Sequence, residues 1–362
     1  MSRLDELIAE LCPNGVAYES LGVLCNIETG KLNANAAVEN GQYAFFTTAK
    51  EISRIDKYRW DTEALLIAGN ANIGDVKHFN GKFEAYQRTY VLTHFSDRII
   101  VKFLYYFLCN NLKLYLNSRK NEAAMTYIVL GTLQNFIVPI PPLPVQQEIV
   151  RILDSFTELT AELTAELAAR KKQYEYYSNS VLKMKDAPVF KIKDVVKSIS
   201  SGKNKERNDE GTYPVYGSTG IISYTNTPVY HGKQILIARV GANAGYVHIA
   251  DGDYDVSDNT LIVDVKDNIS LMFLYYLLKE MRLNRFAKGG GQPLVTAGQI
   301  KEIEIAVPSQ EEQSRIANVL TKFDWIINDI SSGLPAEINA RQKQYEHYRD
   351  KLLAFKKIEV SA

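Results

Sequence analysis

Three cysteines (Cys12, Cys25, Cys109) and five histidines (His78, His94, His231, His248, His347) are the residues through which this chain could ligate a metal or form a thiolate. No two cysteines make a CxxC pair and the histidines lack ligand spacing, so neither a zinc site nor a disulfide framework is expected. Phosphate-cradling chemistry would need GxxxxGK[ST]. Gly30-Lys31 and Gly202-Lys203 supply the GK, but Cys25 and Lys197 stand where the first glycine belongs, and Leu32 and Asn204 follow. An amino-methyltransferase would hold its target in an Asn-Pro-Pro-aromatic loop. The only Pro-Pro, Pro141-Pro142, lies inside IPPLP and does not fit. Asp75-Val76-Lys77, with Asp61 upstream, faintly echoes a nuclease pattern of carboxylates and lysine. These residues predict a chain with no catalytic centre of its own and no metal site.

The elements that carry these residues come in two copies. FLYYFL at 103–108 recurs as FLYYLL at 273–278, and LLIA at 65–68 as ILIA at 235–238. GQYAFF at 41–46 recurs as GTYPVY at 211–216, and ARKKQYEYY at 169–177 as ARQKQYEHY at 340–348. The order is kept, so one unit of about half the chain is duplicated. The second copy puts Tyr246 opposite Asp75, which argues against the nuclease echo.

Each copy has two textures. One, over 16–139 and 188–306, is rich in Gly, Asn, Thr, Tyr and short β-branched runs. ALLIAG, TYVLTHF, FIVPI, QILIARV and NTLIVDV read as strands, while FLYYFLCNNLKLYL and FLYYLLKEMRLNRF read as one helix each. The other texture runs from Gln146 to Lys185 and from Glu311 to Lys357. Apolar residues there alternate at spacings of three and four: Ile149, Ile152, Phe156, Leu159, Leu163, then Tyr174, Tyr177, Val181, Met184. The second copy has Ile316, Val319, Phe323, Ile326, Ile330, then Tyr345, Tyr348, Leu352, Phe355. That is a coiled-coil signal. Pro141, Pro142, Pro144 and Pro308 stand where the helices begin.

The expected fold is therefore α+β: two homologous β-rich domains separated by two long antiparallel coiled-coil helices, a tandem repeat with pseudo-two-fold symmetry. The divisions are an N-terminal helical segment (1–15), domain 1 (16–139), a central spacer helix (140–187), domain 2 (188–306) and a C-terminal spacer helix (307–362). The first helix, at ~1.5 Å per residue, would make a rod ~58 Å long holding the domains apart. The alternative is that each helix caps its own domain and the two never meet.

Within the first helix, TELTAELTAEL at 157–167 repeats the quartet Thr-Ala-Glu-Leu. Four residues turn a helix by about 400°, so Leu159, Leu163 and Leu167 drift by only ~40° per quartet and stay within one apolar stripe. Each quartet adds ~6 Å of rise without turning the seam outward. From Phe156 to Arg170 is 14 residues, and from Phe323 to Arg341 is 18, a difference of one quartet. The second copy fills this stretch with SSGLPAEI, where Gly333 and Pro335 should kink or break the helix. The quartet reads as a length element; its bland alternative is a relic of replication slippage.

These features together resemble the specificity subunits of type I DNA restriction-modification enzymes over nearly the whole chain. The resemblance rests on the duplication, the TAEL quartets before ARKKQYEYY, and GLPAEINARQKQYEHYRDKLL. It rests also on the helix starts PPLPVQQEIVRIL and PSQEEQSRIANVL, and on GTYPVYGSTGI. It implies that the two globular domains are target recognition domains, each reading one half of a split double-stranded DNA site. The helices would set the gap between half-sites and dock two modification (methyltransferase) subunits. Leu159, Leu163, Leu167, Tyr174, Tyr177, Tyr345 and Tyr348 are the expected spacer and docking residues. Restriction (translocase/nuclease) subunits are optional further partners. S-adenosylmethionine, ATP and Mg²⁺ would belong to the partners, with no cofactor in this chain.

Direct readout would come from loops where polar residues gather around glycines. In domain 1 the candidates are Lys31, Thr47, Thr48, Asn70, Asn72 and Arg88. In domain 2 they are Lys203, Asn204, Lys205, Arg207, Ser218, Thr219, Arg239, Asn243, Lys288 and Gln292. Lys203, Lys205 and Arg207 make the strongest phosphate cluster. Where domain 2 has YGSTG, domain 1 reads FFTTA. For each loop the competing role is a plain connector with internal hydrogen bonds. Forty-two Lys plus Arg balance 42 Asp plus Glu, which counts mildly against a nucleic-acid binder unless partners supply part of the grip. The N-terminus, acidic among its apolar residues, is no signal peptide, and no window suits a membrane span, so the expected location is the cytoplasm. A scaffold that reads no DNA and an autonomous nuclease are the alternatives.

Overall fold

The computed structural model describes residues 2–118, 127–181, 184, 186–205, 208–289, 291–329 and 331–358. Lys185, Arg207 and Ile330, named above, lie outside them, as does the side chain of Val181. The chain forms two compact units. Unit 1 comprises Met1–Glu162 with Asn339–Ala362, and unit 2 comprises Leu163–Ile338.

Unit 1 begins with α1 (Arg3–Leu11), started by a capping box in which Ser2 and Asp5 satisfy each other's backbone N–H. Then come β1 (Ala17–Ser20), α2 (Leu21–Leu24), β2 (Asn26–Thr29), β3 (Tyr43–Phe46), β4 (Ser53–Ile55), β5 (Trp60–Ala68), β6 (Val76–Ala85) and β7 (Thr89–Thr93). α3 (Val101–Ser118), α4 (Leu130–Gln134) and β8 (Ile137–Ile140) follow, and α5 (Leu143–Val181) starts here. Six strands form one sheet, ordered β2-β7-β5-β6-β3-β4, and β1 pairs with β8 in a small second sheet. Successive residues of β5 face opposite ways, and both faces are covered. Leu65 and Ile67 meet α3 through Phe103, Leu104 and Phe107, while Ala64 and Leu66 meet Phe46, Trp60 and Phe83. Double burial is why ALLIA reads as an unbroken apolar run.

Unit 2 repeats the plan. It contains β9 (Val189–Lys191), α6 (Ile192–Val195), β10 (Val196–Ser201), β11 (Tyr213–Gly217), β12 (Gly220–Thr225), β13 (Tyr230–His231), β14 (Gln234–Ala238), β15 (Val247–Ala250), β16 (Asp253–Val256) and β17 (Thr260–Val265). After these come α7 (Leu271–Glu280), α8 (Ala297–Lys301), β18 (Glu304–Ala306), α9 (Gln310–Asn328) and the start of α10 (Leu334–Leu352). The six-stranded sheet of unit 1 is matched here by two four-stranded sheets, β10-β17-β14-β15 and β12-β11-β16-β13. The single strand β6 has become β15 and β16, parted at Asp251-Gly252, where Gly252 takes a left-handed φ of 88°. The parallel pair β3–β6 (Phe45 opposite Glu84) recurs as β11–β16 (Val215 opposite Asp255).

One expectation is corrected. FLYYLLKEMRLNRF is not one helix: α7 ends at Glu280, Arg282 sits at φ 50°, and a 3₁₀ turn over Leu283–Phe286 drops Leu283 into the core. The break expected at Gly333 and Pro335 is present, and the C-terminal spacer is two helices, α9 and α10. A Cβ at Gly333 would lie 2.6 Å from the Trp325 carbonyl oxygen and 2.7 Å from that of Asp329, so the break needs a residue without one.

Each unit pairs a part of α5 with a helix of the second repeat. In unit 1 Phe156 stacks on Tyr348 of α10, ring centroids 5.6 Å apart. In unit 2 Tyr177 stacks on Phe323 of α9, also at 5.6 Å. The two pairs exchange roles between repeats, since Phe156 corresponds to Phe323 and Tyr177 to Tyr348. The helices do meet, and the reading in which each caps only its own domain is set aside. The division between units falls inside the quartets, between Glu162 and Leu163. Leu159, Leu163 and Leu167 are half-buried, while Glu158, Glu162 and Glu166 are exposed.

Each long helix is fastened at its start by a buried glutamine. In unit 1 Gln146 Oε1 accepts from the Ile100 N–H (2.8 Å), and its Nε2 donates to the carbonyls of Arg98 (2.9 Å) and Pro141 (2.7 Å). In unit 2 Gln313 Oε1 accepts from the Ser270 N–H (2.8 Å) and its Nε2 donates to the Pro308 carbonyl (2.9 Å). Each therefore ties a long helix to the segment that begins the domain helix, α3 or α7.

Candidate nucleic-acid interface

In unit 1 the candidate loops form one hydrogen-bonded series. Gly30 lies so close to the end of β6 that a Cβ would stand 1.9 Å from the Ala85 carbonyl oxygen. Close approach, not phosphate binding, is thus what this glycine serves. Lys31 beside it is exposed, and the Gln87 N–H donates to the Leu32 carbonyl (2.9 Å). Arg88, exposed, holds its guanidinium 5.5 Å over the Tyr127 ring and accepts at its carbonyl from the Gly69 N–H (2.8 Å). From Gly69 the chain turns through Asn70 and Ala71, the latter at φ 53°, to Asn72. Asn72 Nδ2 then donates to the Thr48 carbonyl (2.8 Å), and the Ala49 N–H to Thr47 Oγ1 (3.2 Å). Lys77 donates to the Ala49 carbonyl, and burial pushes its ammonium pKa down against the opposing charge of Asp75. Thr48 is buried and Asn70 Oδ1 is enclosed with no hydrogen-bond partner among the described residues.

Unit 2 builds the same series from homologous positions. A Cβ on Gly202 would lie 2.2 Å from the Val256 carbonyl oxygen. Asn204 Nδ2 donates to Asp255 Oδ2 (2.7 Å), so this amide braces the loop while Lys203 and Lys205 stay exposed. Arg239 is half-buried and donates from Nη1 to Ser201 Oγ (3.3 Å) and the Asp258 carbonyl (3.5 Å), tying one arm of its fork to the domain. Asn243 Nδ2 donates to the Ser218 carbonyl (3.2 Å). That repeats the Asn72–Thr48 tie, and exposed Thr219 follows. The Val295 N–H donates to the Arg239 carbonyl (2.9 Å), bringing in the hairpin that carries exposed Lys288 and Gln292. Arg207 lies outside the described residues. His248 sits between the rings of Tyr216 and Tyr246, and burial lowers its pKa to about 4, so it is neutral at pH 7.

The sequence reading missed several charged residues here. Arg282 and Arg285 are exposed on the turn after α7, near Lys288 in sequence, and none of the three has an ion-pair partner among the described residues. Arg282 had been placed inside a helix, which hid it. Lys50, exposed after Thr47-Thr48, lies two residues beyond the polar cluster. On the helices, Tyr174 donates to Glu280 (3.3 Å) and burial raises its hydroxyl pKa. Tyr345 is half-buried, whereas Tyr177 and Tyr348 remain 41% and 44% exposed, leaving ring surface outside the stacks.

Loops held this way present amides, hydroxyls and cations from rigid strands. Among the described residues no cluster of three His, Cys, Asp or Glu could hold a metal ion. The family described as "Type I restriction modification DNA specificity domain" matches the chain twice, at residues 13–170 and 184–340. The specificity subunit of the type I restriction enzyme EcoR124I/EcoR124II of Escherichia coli is 34% identical over 307 residues, covering 73% of each chain. The EcoprrI specificity subunit, also of Escherichia coli, is 32% identical over 292 residues, 74% of this chain and 73% of that one. A crystal structure of the type I restriction-modification S subunit from M. genitalium superposes with a TM-score of 0.68 at 16% identity. It covers 95% of this chain and 96% of that one. The HsdS subunit of Thermoanaerobacter tengcongensis gives 0.52 at 14% identity, over 95% and 97%.

Proposed function

Because the chain belongs to the type I restriction-modification DNA specificity family, we propose that its two units divide one reading task, each taking one half of a split DNA site. The chain is the DNA-recognition subunit of a type I restriction-modification enzyme and a non-catalytic component of it. It works with methyltransferase and restriction subunits on DNA. In our reading it docks two methyltransferase subunits along α5, α9 and α10, through the ring surface left free on Tyr177 and Tyr348. S-adenosylmethionine, ATP and Mg²⁺ belong to those partners, and the assembly acts in the cytoplasm. No helix among the described residues is long and apolar enough to cross a membrane.

The observation that carries the division of labour is the recurrent tie, Asn72 to Thr48 in unit 1 and Asn243 to Ser218 in unit 2. It fixes two polar loops together at homologous places while the residues on them differ, as two readers of different sequences require. Mapping methylated bases genome-wide, with this chain co-expressed with its methyltransferase subunit, is expected to return one bipartite site. Methylation without a bipartite motif would defeat the reading. The division also makes a sharper prediction. Asn72→Ala should broaden the bases accepted at one half-site, and Asn243→Ala at the other, each leaving its sister half unchanged. Either substitution altering both halves would mean that the loops are not independent readers.

A further inference from the structure

The loops tied by Asn72 and Asn243 each overhang a crevice beside the domain helix. In unit 1 it measures 480 Å³ and is bounded by Ala71, Asn72, Lys50, Asp75, Lys113 and Asn117. In unit 2 it measures 330 Å³ and is bounded by Ala242, Asn243, Tyr246, Lys279, Arg282 and Asn284. The two are equivalent places in the repeat, Ala-Asn-Ile-Gly at 71–74 answering Ala-Asn-Ala-Gly at 242–245.

Their charge is balanced differently but sums to the same sign. In unit 1 Lys113 is ion-paired with Asp75, which leaves Lys50 as an exposed ammonium with no ion-pair partner among the described residues. In unit 2 Tyr246 replaces Asp75 and no carboxylate lines the crevice. Lys279 is paired with Asp324 (3.2 Å), which leaves Arg282 exposed and unpaired among the described residues. Each crevice so keeps one uncompensated cation beside an asparagine, in a chain whose formal net charge is zero. The cations come from unrelated positions: Lys50 follows β3, whereas Arg282 follows α7. Shared ancestry explains the common asparagine but not a common charge delivered by different residues.

Backbone conformation marks the same two places. Only three described non-glycine residues have positive φ: Ala71 (53°), His94 (51°) and Arg282 (50°). Two of them line these crevices. A left-handed backbone on Ala or Arg is costly and persists where the surroundings require it, a pattern concentrated at functional sites. A concave site with one excess positive charge and an amide suits a monoanionic oxyanion, and DNA offers one at every nucleotide.

We propose that the two crevices are homologous phosphate seats, each holding one backbone phosphate of the DNA against its unit, through Lys50 in unit 1 and Arg282 in unit 2. This rests on the DNA-reading function above and adds to it where the backbone is gripped. Such contacts set the register of a reading domain without selecting bases. The seats therefore act on any sequence.

The test uses the chain assembled with its methyltransferase subunits and a mixed-sequence duplex, with affinity measured across a salt series. Lys50→Gln and Arg282→Gln should each flatten the dependence of log affinity on log salt by about 0.9, and the double variant by about twice that. Each single variant should also bind about tenfold more weakly at low salt. Arg282→Lys, which keeps the charge, should retain the wild-type slope and guards against a loss caused by misfolding. A double variant with the wild-type slope overturns the proposal, and a flattening in only one single variant overturns the homologous pair. Methylation at a bipartite site by the wild-type assembly is scored separately. If it persists while the slopes do not move, the seats are wrong and the reading function stands.

Discussion

Removing Thr164–Leu167 is expected to move methylation to sites whose half-sites stand about one or two base pairs closer together, with both half-sites unchanged. The argument is geometric. The deletion shortens α5 by ~6 Å, against about 3.4 Å of duplex per base pair. Because it removes four residues, the helix face shifts by only ~40°. Leu163 takes the step to the residues beyond, and the exposed glutamates lose one of three copies. The apolar stripe survives, so the helix should fold. The effect on choice of site should be near total, since each base pair also rotates a half-site about the duplex axis by about a tenth of a turn. Sequencing of methylated DNA from a host carrying the deleted form reads this directly. An unchanged gap would show that the quartets do not set spacing. Removing two residues instead of four is expected to abolish methylation altogether, because the stripe then turns about 160° out of its seam.

Gln146→Leu should cost unit 1 about 3 kcal/mol or more, because the Ile100 N–H and the Arg98 and Pro141 carbonyls would each be left without their buried partner. For a unit of this size that is a fall in melting temperature on the order of 10 °C. Gln146→Glu should be at least as damaging despite its shape, since it sets an oxygen against two carbonyl oxygens where Nε2 donated. Gln147, the next residue, is exposed, and Gln147→Leu should stay within about 0.5 kcal/mol. Thermal denaturation of the three variants settles the comparison. Equal losses at 146 and 147 would show that burial and bonding at Gln146 do not fasten the helix.

That neighbouring pair also shows what sequence reading can reach. The duplication, the strands around LLIA and ILIA, and the helical seams were legible because periodicity survives in both copies. The break before α10 was legible too, because Gly333 and Pro335 announce themselves. Gln146 was not, since a glutamine in a polar stretch reads as surface. Its signal was the recurrence five residues after a proline, Pro141 to Gln146 and Pro308 to Gln313. The end of α7 was missed because Leu283 and Phe286 continue the apolar spacing, and spacing says nothing of the left-handed turn at Arg282. In the candidate interface the loops could be named one by one from their polar residues and glycines. What joins them, Arg88 to Gly69 or Arg239 to Ser201 and Asp258, spans stretches of chain that no local pattern connects.

Unit 1 is built from the two ends of the chain: Val16 bridges to Lys357, and the Tyr18 hydroxyl donates to the Phe355 carbonyl (2.7 Å). Unit 2 is one uninterrupted stretch, Leu163–Ile338. A ribosome works from the N-terminus, so the unit begun first is the one completed last. The second unit has all its residues while the first still lacks most of α10 and the bridge partner of Val16. Synthesis must carry an unfinished first unit, its Leu153 and Phe156 waiting for Tyr345, Tyr348 and Leu352, until the stretch beyond Ile338 has been translated.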